Sequence, residues 1–269
     1  MIQKILFPVD FSPSCEAMAP YVKRAAAMFG SRVTLVHVCD LASHNGFELL
    51  VRAPLEIAEE HLRIAEEKFN SFLASDFPAA TCQRILRAGE AAAEIAEVAR
   101  ADGFDLIIMP THAGRFRRML LGSTTAKVLN DAGCPVMTTE HAESAVPRPL
   151  EHLVWVCAIG LSNDSARVLR LAKSHAAAVG ASLSIVHATE ESSEDEALYR
   201  VQELLQIAGC EAEIQIATGR VKDAILEAVS RSAADALIVG RHPPGGSSGR
   251  LRDLTYILVR DSPCPVLSV

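Results

Sequence analysis

Residues 5–38 read ILFPVDFSPSCEAMAPYVKRAAAMFGSRVTLVHV, and residues 155–188 read WVCAIGLSNDSARVLRLAKSHAAAVGASLSIVHA. The two stretches align without a gap at a spacing of 150 residues. Further on, DLIIMPTH at 105–112 aligns with DALIVGRH at 235–242, now at a spacing of 130 residues. The chain is therefore an internal duplication. A duplicated fold allows one copy to lose a ligand site while it still packs, so differences between the copies bear on function.

The composition is that of a globular protein with two domains. The 269 residues include 49% hydrophobic and 22% charged residues, and this length suits two units of about 120–140 residues, each with its own core. A net charge of −7 argues against nucleic acid as a partner, because duplexes attract basic surfaces. No apolar run approaches the roughly 18 residues of a membrane span. Seven scattered cysteines without a CxxC pair predict a reduced, cytoplasmic location.

Each repeat alternates strands with helices. In the first repeat we predict strands near 2–9, 33–39, 81–87, 105–110 and 135–139, and helices near 13–29, 54–75, 90–101 and 123–132. In the second repeat we predict strands near 153–158, 182–188, 212–217, 235–240 and 265–269, with a shorter second helix near 194–208. Strands separated by helices imply right-handed crossovers. The fold class is thus α/β, with two tandem doubly wound domains, each a five-stranded parallel sheet flanked by helices.

The predicted domains span residues 1–141 and 151–269. They are joined by a linker at 142–150, AESAVPRPL, which has two prolines and no periodicity. Each domain ends in a short strand, VMTTE or VLSV. A terminal edge strand leaves backbone groups unpaired, so we expect the two terminal strands to cover each other. That pairing would make the chain an intramolecular pseudo-twofold dimer.

Two segments of the first repeat are expected to meet beyond the carboxyl ends of the strands, where ligands bind in open parallel sheets. One is the turn after the first strand, which contains Asp10. The other follows the fourth strand and ends in Gly122-Ser123-Thr124, which opens a helix. Backbone N–H groups and the helix dipole favour an anion there. The alternative is that these polar side chains only cap helices.

These residues carry a resemblance to a known family. Val9-Asp10 after the first strand, the Gly-Ser-Thr at 122–124 and the closing Cys-Pro-Val at 134–136 and 264–266 resemble the universal stress protein (UspA-like) family. The resemblance covers nearly the whole chain, in a tandem arrangement. It implies an adenine-nucleotide alpha-hydrolase-like fold, dimerisation through the last strand, within the chain or as a homodimer, and a role in the stress response. It also implies either binding of ATP, with Mg²⁺ when ATP is bound, or no nucleotide.

The resemblance also implies a set of nucleotide-binding positions in the first repeat. Val9 and Asp10 would contact the ribose and adenine, Val38 would contribute backbone and Met109 would lie beside the base. Gly122, Ser123 and Thr124 would bind the phosphates. The loop between them departs from the family pattern, since its two glycines are replaced by Pro110 and by Ala113, which Gly114 follows. A proline removes an N–H donor, which weakens the case for a phosphate contact from this loop.

The second repeat departs further from the pattern. Gly160 replaces Asp10, Arg252-Asp253 replaces Gly122-Ser123, and Leu254 replaces Thr124. We predict that Asp253 lies at a helix N-terminus, where a carboxylate stabilises the helix and repels phosphate. The second repeat is therefore predicted to be a structural partner with a degenerate nucleotide site.

Three functions remain open. The first is a non-catalytic stress protein that binds ATP in the first domain only. The second is a nucleotide-independent interaction protein with vestigial sites, and the third is a slow ATP hydrolase that uses Thr111, His112 or Ser123. No residue is assigned as catalytic or as a metal ligand, because the sequence lacks HxxxH spacing and a GKS/GKT P-loop. Histidines recur at matching positions of the two repeats, His37 with His187 and His112 with His242, which favours an architectural role.

Overall fold

A computed structural model describes residues 2–39, 54–111, 121–139, 153–162, 164–189, 194–241 and 249–269, with the backbone alone at 54–58 and 249–253. The predicted linker at 142–150 lies outside these ranges. We refer to residues 2–139 as the first half and to residues 153–269 as the second half. None of the helices in the described ranges has the length and apolar character needed to cross a bilayer.

The elements alternate as the periodicity predicts. The first half contains β1 (Lys4–Pro8), α1 (Pro13–Phe29), β2 (Arg32–Cys39), α2 (Pro54–Ser71), β3 (Gln83–Ala88), α3 (Ala91–Ala101), β4 (Leu106–Pro110), α4 (Ser123–Asp131) and β5 (Val136–Thr139). The second half contains β6 (Val154–Ala158), α5 (Ser165–Val179), β7 (Ser182–Thr189), α6 (Glu194–Ala208), β8 (Glu213–Thr218), α7 (Val221–Arg231), β9 (Ala236–Val239), α8 (Gly249–Asp261) and β10 (Val266–Ser268).

Two helices differ from their predicted extents. The second helix was predicted to reach residue 75, but α2 ends at Ser71. Just beyond it Leu73 adopts a left-handed φ of 52°, which a helix does not allow. Arg84, on β3, also donates a hydrogen bond to the carbonyl of Phe72 at 2.9 Å. A backbone carbonyl at the end of this helix, which has no partner within the helix, is thus hydrogen-bonded by a side chain of β3. The second difference, at the start of α8, concerns the candidate site and is described there.

The ten strands of the described residues form one sheet in the order β3-β2-β1-β4-β5-β10-β9-β6-β7-β8. Neighbouring strands within each half are parallel. The two halves join where β5 and β10 pair antiparallel, with Met137 opposite Leu267. The predicted α/β fold is thus confirmed, and the terminal strands cover each other as expected.

Helices cover both faces of this sheet, and the core on each face is continuous across the halves. One hydrophobic cluster draws residues from α1, α2, α5 and α6, and the other from α3, α4, α7 and α8. Where the halves meet, the ring of Phe29 lies edge-on to Trp155 with centroids 6.5 Å apart. The two halves therefore share their buried surfaces.

The helix that follows β1 begins and ends as its sequence predicts. Ser12 caps α1 by accepting a hydrogen bond from the Cys15 N–H at 3.3 Å, and Pro13 occupies the first turn. Gly30 closes the helix with a left-handed φ of 66°. The same helix start fixes the turn that carries Asp10.

Candidate functional site

A cavity of about 330 Å³ opens at the carboxyl ends of β1 and β4. These strands are neighbours, and the sheet continues from β1 to β2 on one side and from β4 to β5 on the other. This is the switch point at which open α/β sheets bind ligands. The cavity brings together eight of the predicted binding residues, namely Val9, Asp10, Val38, Met109, Pro110, Gly122, Ser123 and Thr124. Ala113 and Gly114 lie outside the described residues.

Asp10 stands exposed at the edge of the cavity, and its carboxylate is held in place by the start of α1. Its Oδ1 accepts a hydrogen bond from the Ser12 N–H at 3.0 Å and another from the Cys15 thiol at 3.1 Å. Cys15 itself is buried, and burial together with the neighbouring Asp10 carboxylate raises the pKa of its thiol to about 12. Cys15 is therefore a neutral donor that orients Asp10.

His37 forms another part of the wall. Its Nδ1 donates to the Val9 carbonyl at 2.8 Å, and the Phe11 ring stacks against it with centroids 4.1 Å apart. Burial lowers the pKa of His37, which is consistent with a neutral ring. His187 makes the matching bond to the Ile159 carbonyl at 2.9 Å. Because the contact recurs in both halves, it supports an architectural role for this pair, whereas His112 and His242 lie outside the described residues.

The opposite wall is the N-terminus of α4. Gly122 is the N-cap residue, no side chain caps the helix, and the first turn contains no acidic residue. The Gly122 N–H donates to the Thr111 carbonyl at 2.8 Å, and the Thr125 hydroxyl donates to the Pro110 carbonyl at 3.0 Å. These bonds fix the helix to the end of β4. The N–H groups of Ser123 and Thr124 have no acceptor within the helix, as in every first helical turn.

The inner surface between these two polar ends is apolar. It is formed by side chains from β2, β4 and the start of α3, namely Val36, Val38, Met109, Ala91 and Ile95. An apolar wall flanked by a carboxylate on one side and a helix N-terminus on the other suits a ligand with a flat apolar part and an anionic part.

The second half differs at the corresponding helix. The Thr255 hydroxyl donates to the Gly240 carbonyl at 3.4 Å, matching the bond between Thr125 and Pro110. However, α8 begins at Gly249, well before this threonine, and its first turn contains no acidic residue. The prediction that Asp253 lies at the helix N-terminus is therefore wrong. The helix starts about one turn earlier than α4 does, so Asp253 lies inside it.

The sequence pattern missed several residues of the cavity. Cys15, Ala91 and Ile95 come from two helices whose starts converge on the site, and only the packing of those helices brings them there. Thr125 belongs to the Gly-Ser-Thr-Thr stretch that the sequence predicts at this site, and its hydroxyl reaches back to the preceding strand.

The fold and the cavity define a tandem α/β protein with a cleft at the switch point of its first half. The model of the universal stress protein family matches residues 1–139 and 189–269, which is more than half of the chain. The chain belongs to the universal stress protein family.

Two relatives match about half of this chain and nearly the whole of their own length. Universal stress protein A homolog 2 of Coxiella burnetii is 30% identical over 138 residues, which cover 50% of this chain and 92% of that protein. A universal stress protein of Methanocaldococcus jannaschii is 28% identical over 159 residues, covering 54% of this chain and 98% of that protein.

Solved structures resemble the whole chain. A universal stress protein from Archaeoglobus fulgidus has a TM-score of 0.73 at 23% identity, covering 98% of this chain and 95% of that one. A functionally unknown protein from Pseudomonas aeruginosa PAO1 has a TM-score of 0.64 at 18% identity, covering 100% and 92% of the two chains. At these identities the likeness concerns the fold alone, and it supports the predicted tandem arrangement.

Proposed function

We propose that the first half of this chain binds an adenine nucleotide, ATP in particular, and does not turn it over. The observation that carries the proposal is one cavity, lined by described residues, that unites Asp10, an apolar wall and the N-terminus of α4. Its volume of about 330 Å³ falls within the roughly 300–1,000 Å³ of small-molecule sites. The second half, with Gly160 in place of Asp10 and a differently placed helix start, acts as a structural partner.

Each part of the cavity has a role in this proposal. Asp10 accepts hydrogen bonds from the ribose hydroxyls, and its orientation is already set by Ser12 and Cys15. The adenine lies against Met109, beside the backbone of Val38. The phosphates bind the first turn of α4, where the helix dipole stabilises an anion by about 0.3–1 kcal/mol and by up to about 2 kcal/mol when partly buried. Mg²⁺ would bind together with the phosphates, because phosphate oxygens, water and one or two carboxylates are its usual ligands in nucleotide sites.

The proposal assigns one domain to each half. The first comprises residues 1–141, the second comprises 151–269, and 142–150 connects them. The antiparallel pairing of β5 with β10 supports an arrangement in which the two domains form a pseudo-twofold pair within one chain.

Calorimetric titration with ATP and Mg²⁺ tests the binding site. The wild-type chain is expected to bind, and Asp10→Ala is expected to lower the affinity by at least about tenfold, the effect of losing hydrogen bonds to a charged acceptor. Asp164→Ala is the matched control, because Asp164 is a carboxylate at the start of α5, the helix that corresponds to α1. No heat from the wild-type chain at millimolar ATP would refute the proposal.

A nucleotide-independent interaction protein is the second candidate, and one observation favours it. The Asp10 Oδ1 is already satisfied within the chain by the Ser12 N–H and the Cys15 thiol, as it would be in a turn that serves only to start a helix. Mass spectrometry of small molecules released from freshly purified protein separates the two candidates. A stoichiometric adenine nucleotide supports binding, and its absence together with a silent titration supports the second candidate.

A further inference from the structure

Arg241 reaches from the second half into the first. It follows β9, at the position that Thr111 occupies in the first half, and its own N–H donates to the Val269 carbonyl at 2.7 Å. Its guanidinium donates to the carbonyls of Leu129 and Ala132 at 2.8 and 3.1 Å. A third hydrogen bond, of 2.6 Å, goes to the carbonyl of Cys134. These carbonyls belong to the end of α4 and the segment that follows it.

A second side chain from the same half contacts the same helix. The Tyr256 hydroxyl, on α8, donates to the carbonyl of Ala126 at 3.2 Å. The second half thus holds α4 in its middle and at its C-terminus, while the N-terminus of α4 lines the cavity of the first half. A helix of nine residues spans only about 13 Å, so the two ends are electrostatically and mechanically linked.

Among the residues that the structure describes, this contact runs from the second half to the first and has no counterpart in the reverse direction. In the alignment of the two repeats, Thr111 corresponds to Arg241 and Ala126 corresponds to Tyr256. Both side chains of the first half are too short to reach α8 in the way that Arg241 and Tyr256 reach α4. The Thr111 hydroxyl instead donates to the Thr139 carbonyl within its own half. The half that contains the cavity is therefore the half whose helix is held by its partner.

We propose that Arg241 is a positioning residue for the nucleotide site, acting through α4, so that the second half completes the site of the first. The proposal rests on the proposed function. A cation at the C-terminus of a helix offsets the negative end of its dipole. The positive electrostatic potential at Ser123 and Thr124, at the other end of α4, is then less reduced by that negative charge. The same hydrogen bonds fix the helix in the position where its first turn meets the phosphates.

Titration with two ligands separates this role from a general structural one. ATP and adenosine share the base and ribose, but only ATP places phosphates at α4. Arg241→Met is expected to weaken ATP binding about three- to tenfold, which lies within the range of a helix-end charge in a partly buried position, and to change adenosine binding by less than about twofold. Arg241→Lys keeps the charge and is expected to restore most of the ATP affinity.

Two further variants complete the design. Tyr256→Phe removes one hydroxyl and keeps the ring, so it is expected to fold even where Arg241→Met does not. It should weaken ATP binding by about twofold, which corresponds to the lower end of the net free energy of a single hydrogen bond. Adenosine binding should be unaffected. Arg100→Met is the control for loss of one positive charge, because Arg100 is exposed at the end of α3 and pairs with Glu97 at 2.6 Å. It should leave both affinities unchanged.

The outcomes distinguish the two proposals. Equal losses of ATP and adenosine affinity, or no loss in Arg241→Met and Tyr256→Phe, would overturn the positioning role and leave nucleotide binding standing. A wild-type chain that binds neither ligand would overturn both. A loss confined to ATP, with recovery in Arg241→Lys, supports the inference.

Discussion

Ser123 is exposed at the first position of α4, beside the cavity and without an acidic neighbour in that turn. A carboxylate introduced there would interact favourably with the helix dipole, by about 0.3–1 kcal/mol, and would repel phosphate. Ser123→Glu is therefore expected to keep or raise the melting temperature while lowering ATP affinity by at least about tenfold. Calorimetry and a thermal melt measure the two effects on one sample.

The matched variant is Ser123→Ala, which keeps the backbone N–H donors and adds no charge. It should retain most of the ATP affinity. If Ser123→Glu bound ATP as well as the wild-type chain does, the phosphates could not lie at the start of α4, and the proposed orientation of the nucleotide would be wrong.

His175 is the second residue whose surroundings predict a measurable effect. It lies on α5 with 7% of its surface exposed, and neither ring nitrogen has a hydrogen-bond partner among the described residues. Burial lowers its pKa from 6.5, and the nearby Asp105 carboxylate opposes the shift. The unfolded chain thus takes up a proton at a higher pH than the folded chain does.

The sign of the pH dependence follows from that difference. Stability is fully present above the unfolded pKa of about 6.5 and is lost as the pH falls toward the lower folded value. Urea unfolding at pH 7.5 and pH 5.5 should show a smaller loss in His175→Leu than in the wild-type chain. His61→Leu on α2 is the control, and an equal reduction in that variant would contradict the assignment to His175.

At the scale of the elements, the sequence predicts helices best where their ends are set by local chemistry. Ser12, Pro13 and Gly30 fix both ends of α1, and the predicted and observed bounds agree. The start of α8 was predicted by aligning it with α4, and that alignment assumed helices of equal length. The bond from Thr255 to Gly240 confirms that the residues are aligned correctly. What the alignment does not encode is that α8 begins about one turn earlier than α4 does.

The same distinction applies to the candidate site. Asp10 and the Gly122-Ser123-Thr124 stretch follow strands directly, so topology alone places them at one edge of the sheet. Cys15 and Arg241 could not be predicted in their roles, because each acts through a contact made after the helices pack. Arg241 in particular contacts carbonyls more than 100 positions earlier in the chain, and no local pattern encodes such a contact.

At the scale of the whole molecule, the halves are connected on every layer. The sheet is continuous through β5 and β10, each hydrophobic cluster contains residues of both halves, and Arg241 binds α4 across the junction. Neither half buries its terminal strand without the other. An exposed strand edge would be open to pairing with other chains, so the intramolecular pairing also protects against association.

Trp155 makes this connection measurable, because it is the single tryptophan of the chain and its ring contacts Phe29 of the other half. Since the cores are shared, tryptophan fluorescence and far-UV circular dichroism should report one coincident urea transition. Phe29→Ala removes a buried ring at the junction and should lower the free energy of unfolding by about 3–5 kcal/mol in both signals together.

Ile64→Ala is the control, at a residue with 49% of its surface exposed on α2. It should change the free energy of unfolding by less than about 0.5 kcal/mol. If the fluorescence change preceded the dichroism change, the halves would separate before they unfold, and α4 would lose the support of Arg241 at that first step.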